Sequence, residues 1–343
     1  MLKMKISVDN EIKVLSLILA GVIILMTVLS PRHFLRFETF QGIAFQLPEL
    51  GLLSLAMMIT MLTGGINLSI ISTANISAIT AALILTTWIV PEVPASTDMW
   101  IILIAIIAAL GVSLLVGLFN GFLISIINIP PILATLGTMK LLQGVAFIVT
   151  RGYVISGMPN FIRFLGNGKV VGIPMPLIIF IVCAFLMATY LNHTATGFNI
   201  FMFGSNPIAT LFSGVNNGRV IIKTYMISGL FSGVAAIIMM SRFNSAKAGY
   251  GESYLLVTIL AAVLGGVKSE GGFGRVKGLI LSLVILQVMS MGLNFLGVSA
   301  FLTVAFWGLI MIGAMISHFI IEQRNQLRLS SGNSGSSIKY KGK

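Results

Sequence analysis

Residues 100–127 read WIILIAIIAALGVSLLVGLFNGFLISII, an apolar run without one charged side chain. As a helix it would rise roughly 42 Å at about 1.5 Å per residue, which exceeds the ~30 Å of bilayer hydrocarbon. A buried helix of a soluble protein needs only about 10–14 apolar residues, so this stretch reads as a membrane span. The rest of the chain agrees. Hydrophobic residues make up 57% of it, charged residues 9%, and mean hydropathy is +1.04, whereas soluble domains carry roughly 25% charged residues. A water-soluble fold is excluded on that balance.

Outward from this run, apolar stretches bounded by charges or prolines predict further helices over 13–30, 43–62, 66–90, 131–150, 172–191, 220–241, 254–267, 278–296 and 299–321. The expected fold is an all-α polytopic transmembrane bundle of about ten spans, with a transmembrane domain over 1–321 and a cytoplasmic tail over 322–343. Past Leu329 the tail reads SSGNSGSSIKYKGK, a Ser- and Gly-rich composition that predicts disorder. The first run, Val14–Leu29, follows Lys3, Lys5 and Lys13 like a signal peptide, but it ends in Ser30-Pro31-Arg32-His33 without a small-residue cleavage site and reads as a retained span. Lys and Arg collect on the cytoplasmic side of short loops. With both termini inside, thirteen lie there (Lys3, Lys5, Lys13, Arg219, Lys223, Lys268, Arg275, Lys277, Arg324, Arg328, Lys339, Lys341 and Lys343) against seven outside (Arg32, Arg36, Arg151, Arg163, Lys169, Arg242 and Lys247), with Lys140 inside a span.

The formal charge of +12 is spread over segment ends and forms no basic face interleaved with aromatics, so no nucleic-acid partner is expected. The lone Cys183 sits in an apolar run and reads as packing. There is no GxxxxGK[ST] phosphate loop and no H-E-x-x-H, and His33, His193 and His318 are scattered. These absences predict a chain with no catalytic residues, no metal site and no cofactor of its own.

Irregular backbone survives at membrane depth only where protein or a water-filled cavity supplies partners. Three interruptions qualify: Thr63-Gly-Gly-Ile-Asn-Leu-Ser69, Ile129-Pro-Pro-Ile-Leu-Ala-Thr-Leu-Gly-Thr138, and Gly265-Gly266 through Gly271-Gly-Phe-Gly274. Their hydroxyls and amides can hydrogen-bond an uncharged polar solute, so Thr63, Gly64, Gly65, Asn67, Ser69, Thr135 and Gly137 are the candidate solute-pathway residues. Glycines also let spanning helices pack closely with no ligand near, and both readings stay open. Glu49, beside Pro48, is read as solvated near the interface in preference to a proton or cation site, while Lys140 either snorkels or meets a carbonyl or Glu49. The segment 193–219 is long and sparsely charged, and its Pro207–Gly214 stretch predicts a short helix at the cytoplasmic face, where a partner could dock.

These interruptions resemble the motifs of permease subunits of bacterial sugar ABC importers, the ribose and autoinducer-2 type. Thr63–Ser69 is similar to the family's TGGIDLS, with Asn67 in place of Asp. Asn120-Gly121, the 129–138 stretch, Gly144 and Thr150-Arg151-Gly152 follow its pattern, as do Thr196-Gly-Phe198, Gly204-Ser-Asn-Pro-Ile-Ala209, Ser213-Gly214, Ser228-Gly229-Leu230, Ala261–Gly266 and Gly271–Gly274. The similarity runs from about residue 12 to residue 321. It implies an inner-membrane permease that translocates a sugar or similar small polar solute by alternating access. The implied partners are a second permease copy or paralogue, ABC ATPase subunits that bind the ATP, a periplasmic solute-binding protein and membrane lipid. It further implies ATPase coupling through Gly204, Asn206, Ala209 and Gly214, whereas Asn199 and Thr210 depart from the family's Arg and Ala. The competing function is an ion- or proton-coupled carrier, which needs an embedded acidic residue; Glu49 is the candidate. An intramembrane enzyme would need a catalytic constellation that the sequence does not offer.

Overall fold

The computed structural model describes residues 2–88, 95–299, 302–310 and 312–313. Helices α1 (Leu2–Leu29), α2 (Pro31–Phe34), α3 (Phe37–Met61), α4 (Ile70–Trp88), α5 (Ala95–Ser125) and α6 (Pro131–Thr150) form the first half. The second contains α7 (Asn160–Asn167), α8 (Met175–His193), α9 (Ala195–Ser205), α10 (Pro207–Phe212), α11 (Asn217–Phe243), α12 (Tyr254–Leu264) and α13 (Val276–Phe295). Local chemistry sets many of the boundaries. Pro31, Pro131 and Pro207 stand at first helical positions, where the missing N–H costs nothing. The side chains of Thr194, Asn206 and Asn216 cap α9, α10 and α11 by accepting from Gly197, Ala209 and Arg219 N–H.

Among the described residues eight helices are long and apolar enough to cross a membrane: α1, α3, α4, α5, α6, α8, α11 and α13. Each lies on a predicted span, and the fold is all-α. One expectation changes. The predicted span 254–267 is the 11-residue α12, about 16 Å long and half of a crossing. Of the predicted 299–321 span, residue 299 is not helical and residues 302–310 and 312–313 are; its other positions, like the tail from 322, lie outside the described residues. The chain divides into two units, Met1–Gly297 and Val298–Lys343, and the architecture that follows is that of the first.

The bundle has a centre and a rim. The spans of α3 and α4 are 78% and 72% buried, those of α6 and α8 28% each. α11 packs on α5, α3 and α4, while α13 and α8 lie against α3 and α6 against α4. The α5–α11 contact is close because both helices carry glycines four apart: Gly117 faces Gly229, Gly121 meets the Ile222 backbone, and Gly233 meets Ser113. A Cβ on Gly121 would stand 2.8 Å from Ile222 Cα; one on Gly229 would collide with Ser113 O and stand 3.1 Å from Gly117 Cα. Small residues of this spacing are what lets helices close without hydrophobic drive in lipid. At the Phe243 end of α11 a cap forms that the sequence did not predict: β1 (Ile155–Ser156) pairs antiparallel with β4 (Ser245–Ala246), and β2 (Lys169–Val170) with β3 (Ile173–Pro174). α7 completes it, with Asn167 Nδ2 donating to Ser241 O at 3.1 Å and the Ser241 hydroxyl donating to Ile162 O.

One charge reading is corrected here and one is resolved. Glu49 is 1% exposed, not solvated: its Oε1 accepts from Arg242 Nη1 at 2.6 Å and from Tyr254 OH at 2.8 Å. Lys140 does not meet Glu49; its Nζ donates to a carbonyl, the side-chain Oε1 of Gln143, at 3.2 Å on an exposed face. In both cases the partner comes from a helix facing or turn spacing that hydropathy does not reveal.

The α5–α11 seam yields a direct test. Gly229→Ala is expected to lower the thermal stability of the detergent-purified protein by about 1–3 kcal/mol, as overpacking does. Gly111→Ala on α5, where a Cβ meets open space, is expected to leave the melting temperature unchanged.

Candidate functional site

The connection between α3 and α4 is where the fold spends its buried polar groups. Asn67, 2% exposed, turns its Oδ1 to the N–H of Ser69 (3.1 Å) and the hydroxyl of Ser69 (2.8 Å), and its Nδ2 donates to Ser228 Oγ on α11 at 3.0 Å. Ser228 in turn donates to Ala56 O of α3 at 2.8 Å, and Asn120 of α5 donates through Nδ2 to Ser69 Oγ at 2.8 Å. On the α6 side the Thr135 hydroxyl accepts from Leu68 N–H at 3.1 Å and has Pro131 O at 2.8 Å and Ile66 O at 3.1 Å within reach. One loop is thereby held by α3, α5, α6 and α11. Two polar atoms beside it are buried without a hydrogen-bond partner, Asn120 Oδ1 and the Tyr225 hydroxyl. A Cβ on Gly65 would stand 2.5 Å from that hydroxyl and 3.2 Å from Pro131 Cβ, so only glycine lets the loop pass.

The other side of the same loop meets the other break. Gly64 takes φ +74° and Gly271 and Gly272 take φ +93° and +76°, a region costly for residues with a Cβ. Gly272 N–H donates to Leu62 O at 2.9 Å, and Gly64 N lies 2.7 Å from where a Gly271 Cβ would sit. Into this pair fits the end of α9: a Cβ on Gly204 would collide with Leu62 O and Gly272 N, and one on Gly271 would stand 3.1 Å from Gly204 Cα. From Gly204 the chain turns into α10, held to α11 by Asn217 Nδ2 donating to Pro207 O at 2.9 Å. α10 presents Ile208, Leu211 and Phe212 outward, Phe212 87% exposed.

The structure thus brings Gly65, Asn67, Ser69 and Thr135 together as an interior knot whose hydrogen bonds are spent on protein. Thr63, whose hydroxyl donates to Thr60 O at 2.7 Å, and the exposed Gly64 lie on the loop's other side. Gly137 faces open space, away from Thr135, because two residues along a helix turn the side chain about 200°. Of the coupling candidates, Gly204 sits in the glycine contact, Asn206 caps α10, Ala209 is exposed on it, and Gly214 (φ +79°) closes the turn after it. Sequence reasoning quoted Asn120 and Ser228 within motifs without assigning them a role; both are buried polar residues in apolar runs, the signal that could have singled them out. The ion pair of Glu49 with Arg242 joins positions 193 apart, which no local pattern announces. Among the described residues no group of three or more His, Cys, Asp or Glu is placed to hold a metal.

Residues 39–315 match the family described as branched-chain amino acid transport system permease component. The autoinducer 2 import system permease protein LsrD of Escherichia coli K12 is 30% identical over 285 residues, 81% of this chain and 83% of its own length. The protein of the same name from Photorhabdus temperata is 29% identical over 324 residues, 92% of each chain. No solved structure matches.

Because the knot is buried, its loss is expected to act on folding. Asn67→Leu strands Ser69 and Ser228 groups at about 1–3 kcal/mol each and should lower the melting temperature and the yield of monodisperse protein. Asn67→Ala and Ser228→Ala combined should depart from additivity by about 0.5–3 kcal/mol, read by a double-mutant cycle on thermal unfolding.

Proposed function

This chain belongs to the family of branched-chain amino acid transport system permease components, and from that premise we propose that it carries a sugar or similar small polar solute across the inner membrane by ATP-driven alternating access. It is a multi-pass membrane permease, a transport component. The relatives' role, autoinducer 2 import, supports a small polar organic solute. The ATP is bound and hydrolysed by partner ABC ATPases, a periplasmic binding protein delivers the solute, and a second permease copy or paralogue completes the path. Both termini lie in the cytoplasm, and α10 lies on that side.

The observation that carries this reading is the contact of Gly204 with both helix breaks. An ATPase seated on the exposed Ile208, Leu211 and Phe212 would displace α10 and the end of α9. With no side chain between Gly204 and the backbones of Leu62 and Gly272, that displacement passes directly to the 62–69 loop and the 265–274 turn. These in turn set the angles of α4, α5, α6 and α11 through the polar knot. A carrier that couples to an ion would need a free embedded acid; Glu49 is paired with Arg242, and Glu252 accepts from Gln143.

Cysteines placed at Ile208 and Phe212 are expected to cross-link to an ATPase subunit in native membranes, and cysteines at Tyr153 and Val171 on the opposite cap are not. Phe212→Asp should abolish ATP-dependent uptake in membrane vesicles while leaving the amount of permease unchanged. Uptake that persists in ATP-depleted vesicles under an ion gradient would overturn the proposal.

A further inference from the structure

Lys140 stands nine residues after the start of α6 and ten before its end, roughly 14 Å from either at about 1.5 Å per residue. At this depth it is exposed, on a helix whose span is only 28% buried. It does not stand alone. Its Nζ donates to Gln143 Oε1 at 3.2 Å, and Gln143 Nε2 donates to Glu252 Oε1 at 3.3 Å, a chain that crosses from α6 to the turn before α12.

Glu252 reaches this depth because the chain after β4 dips into the bundle. Asn75 of α4 donates through Nδ2 to Ala248 O at 3.1 Å and to Tyr250 O at 3.0 Å. Tyr254 then donates to Glu49, twelve residues into α3, and the half-length α12 begins there. The buried Glu49–Arg242 pair thus fixes the segment that presents Glu252. On α6, Gly137 and Gly144 flank Lys140 at three and four residues' spacing and meet nothing within 4 Å, so the surface around the three polar side chains is open.

Hydrocarbon does not cover an ammonium, a carboxylate and an amide at mid-depth; water or a polar ligand does. We propose that Lys140, Gln143 and Glu252 are a solute-contact site on the translocation path, and that it takes a neutral polyhydroxylated solute; this rests on the permease reading above. Lys140 donates, Glu252 accepts and Gln143 does both, the alternation that hydroxyl groups match. One positive and one negative charge bridged by an amide leave no net charge to draw an ion. An anion would meet Glu252 and a cation Lys140, and a zwitterion would have to pull both charges off Gln143.

Two measurements on the complete transport complex in membranes decide it. In a Cys183→Ser background, Lys140→Cys and Glu252→Cys should react with hydrophilic cationic and anionic methanethiosulfonates at least about tenfold faster than Ile181→Cys and Phe185→Cys, exposed apolar positions midway along the rim helix α8. Equal rates would overturn the site. ATP-dependent uptake is then read for radiolabelled ribose, glucose, ribose 5-phosphate, glucosamine and leucine. The wild type should accumulate a neutral sugar, and Lys140→Met and Glu252→Gln should each raise its half-saturating concentration about tenfold, as lost hydrogen bonds to charged groups do, with Lys140→Arg restoring part of the loss. Preference for the phosphate, the amine or leucine, or an unchanged half-saturation in both variants, overturns the assignment. A wild type that accumulates none of the five removes the importer reading instead, and the labelling rates still decide whether this face is wet.

Discussion

A backbone that leaves the helix where protein packs over it must find a partner for nearly every N–H and C=O it frees, because a buried group left unpaired is costly. The break between α3 and α4 meets that demand from within the protein. Gly65 N–H returns to Thr60 O at 3.1 Å, Leu62 O accepts from Gly272, Leu68 N–H goes to Thr135, and Ser69 N–H to Asn67. Each bond left unmade would cost about 1–3 kcal/mol. The partners come from different helices, so satisfying one loop fixes the positions of α5, α6, α11 and the 265–274 turn together.

The same constraint explains why glycine recurs where helices meet. Along the α5–α11 seam and at Gly64, Gly204, Gly271 and Gly272, absent side chains let backbone touch backbone. A contact of that kind has no rotamers to absorb a push, which suits it to pass motion from α10 to the breaks. Glu49 and Arg242 do the corresponding work nearer the other end of α11, tying α3, α11 and the start of α12 at one carboxylate oxygen.

Hydropathy and the charge clusters were enough to read the spans, because a helix in lipid must be apolar along its whole length; among the described residues eight of the predicted runs are helices of crossing length. The breaks were equally readable, since Gly-Gly, Pro-Pro and clustered hydroxyls interrupt an otherwise uniform pattern. What the pattern cannot carry is direction. Asn67 and Thr135 look the same in sequence whether they face a path or the interior, and only the positions of Ser228 and Asn120 decide for the interior. Lys140 and Glu252 lie 112 positions apart, and their link through Gln143 depends on the dip of 247–253, whose signal in sequence is merely a short apolar helix after polar residues.

The backbone contact at Gly204 admits a decisive measurement: the ratio of solute transported to ATP hydrolysed by the reconstituted complex carrying Gly204→Ala. A single methyl there must displace Leu62 or Gly272, so if the contact transmits the stroke, the ATPases still assemble and hydrolyse while the ratio falls several-fold. A ratio equal to wild type, in protein with an unchanged melting temperature, would contradict transmission through that contact.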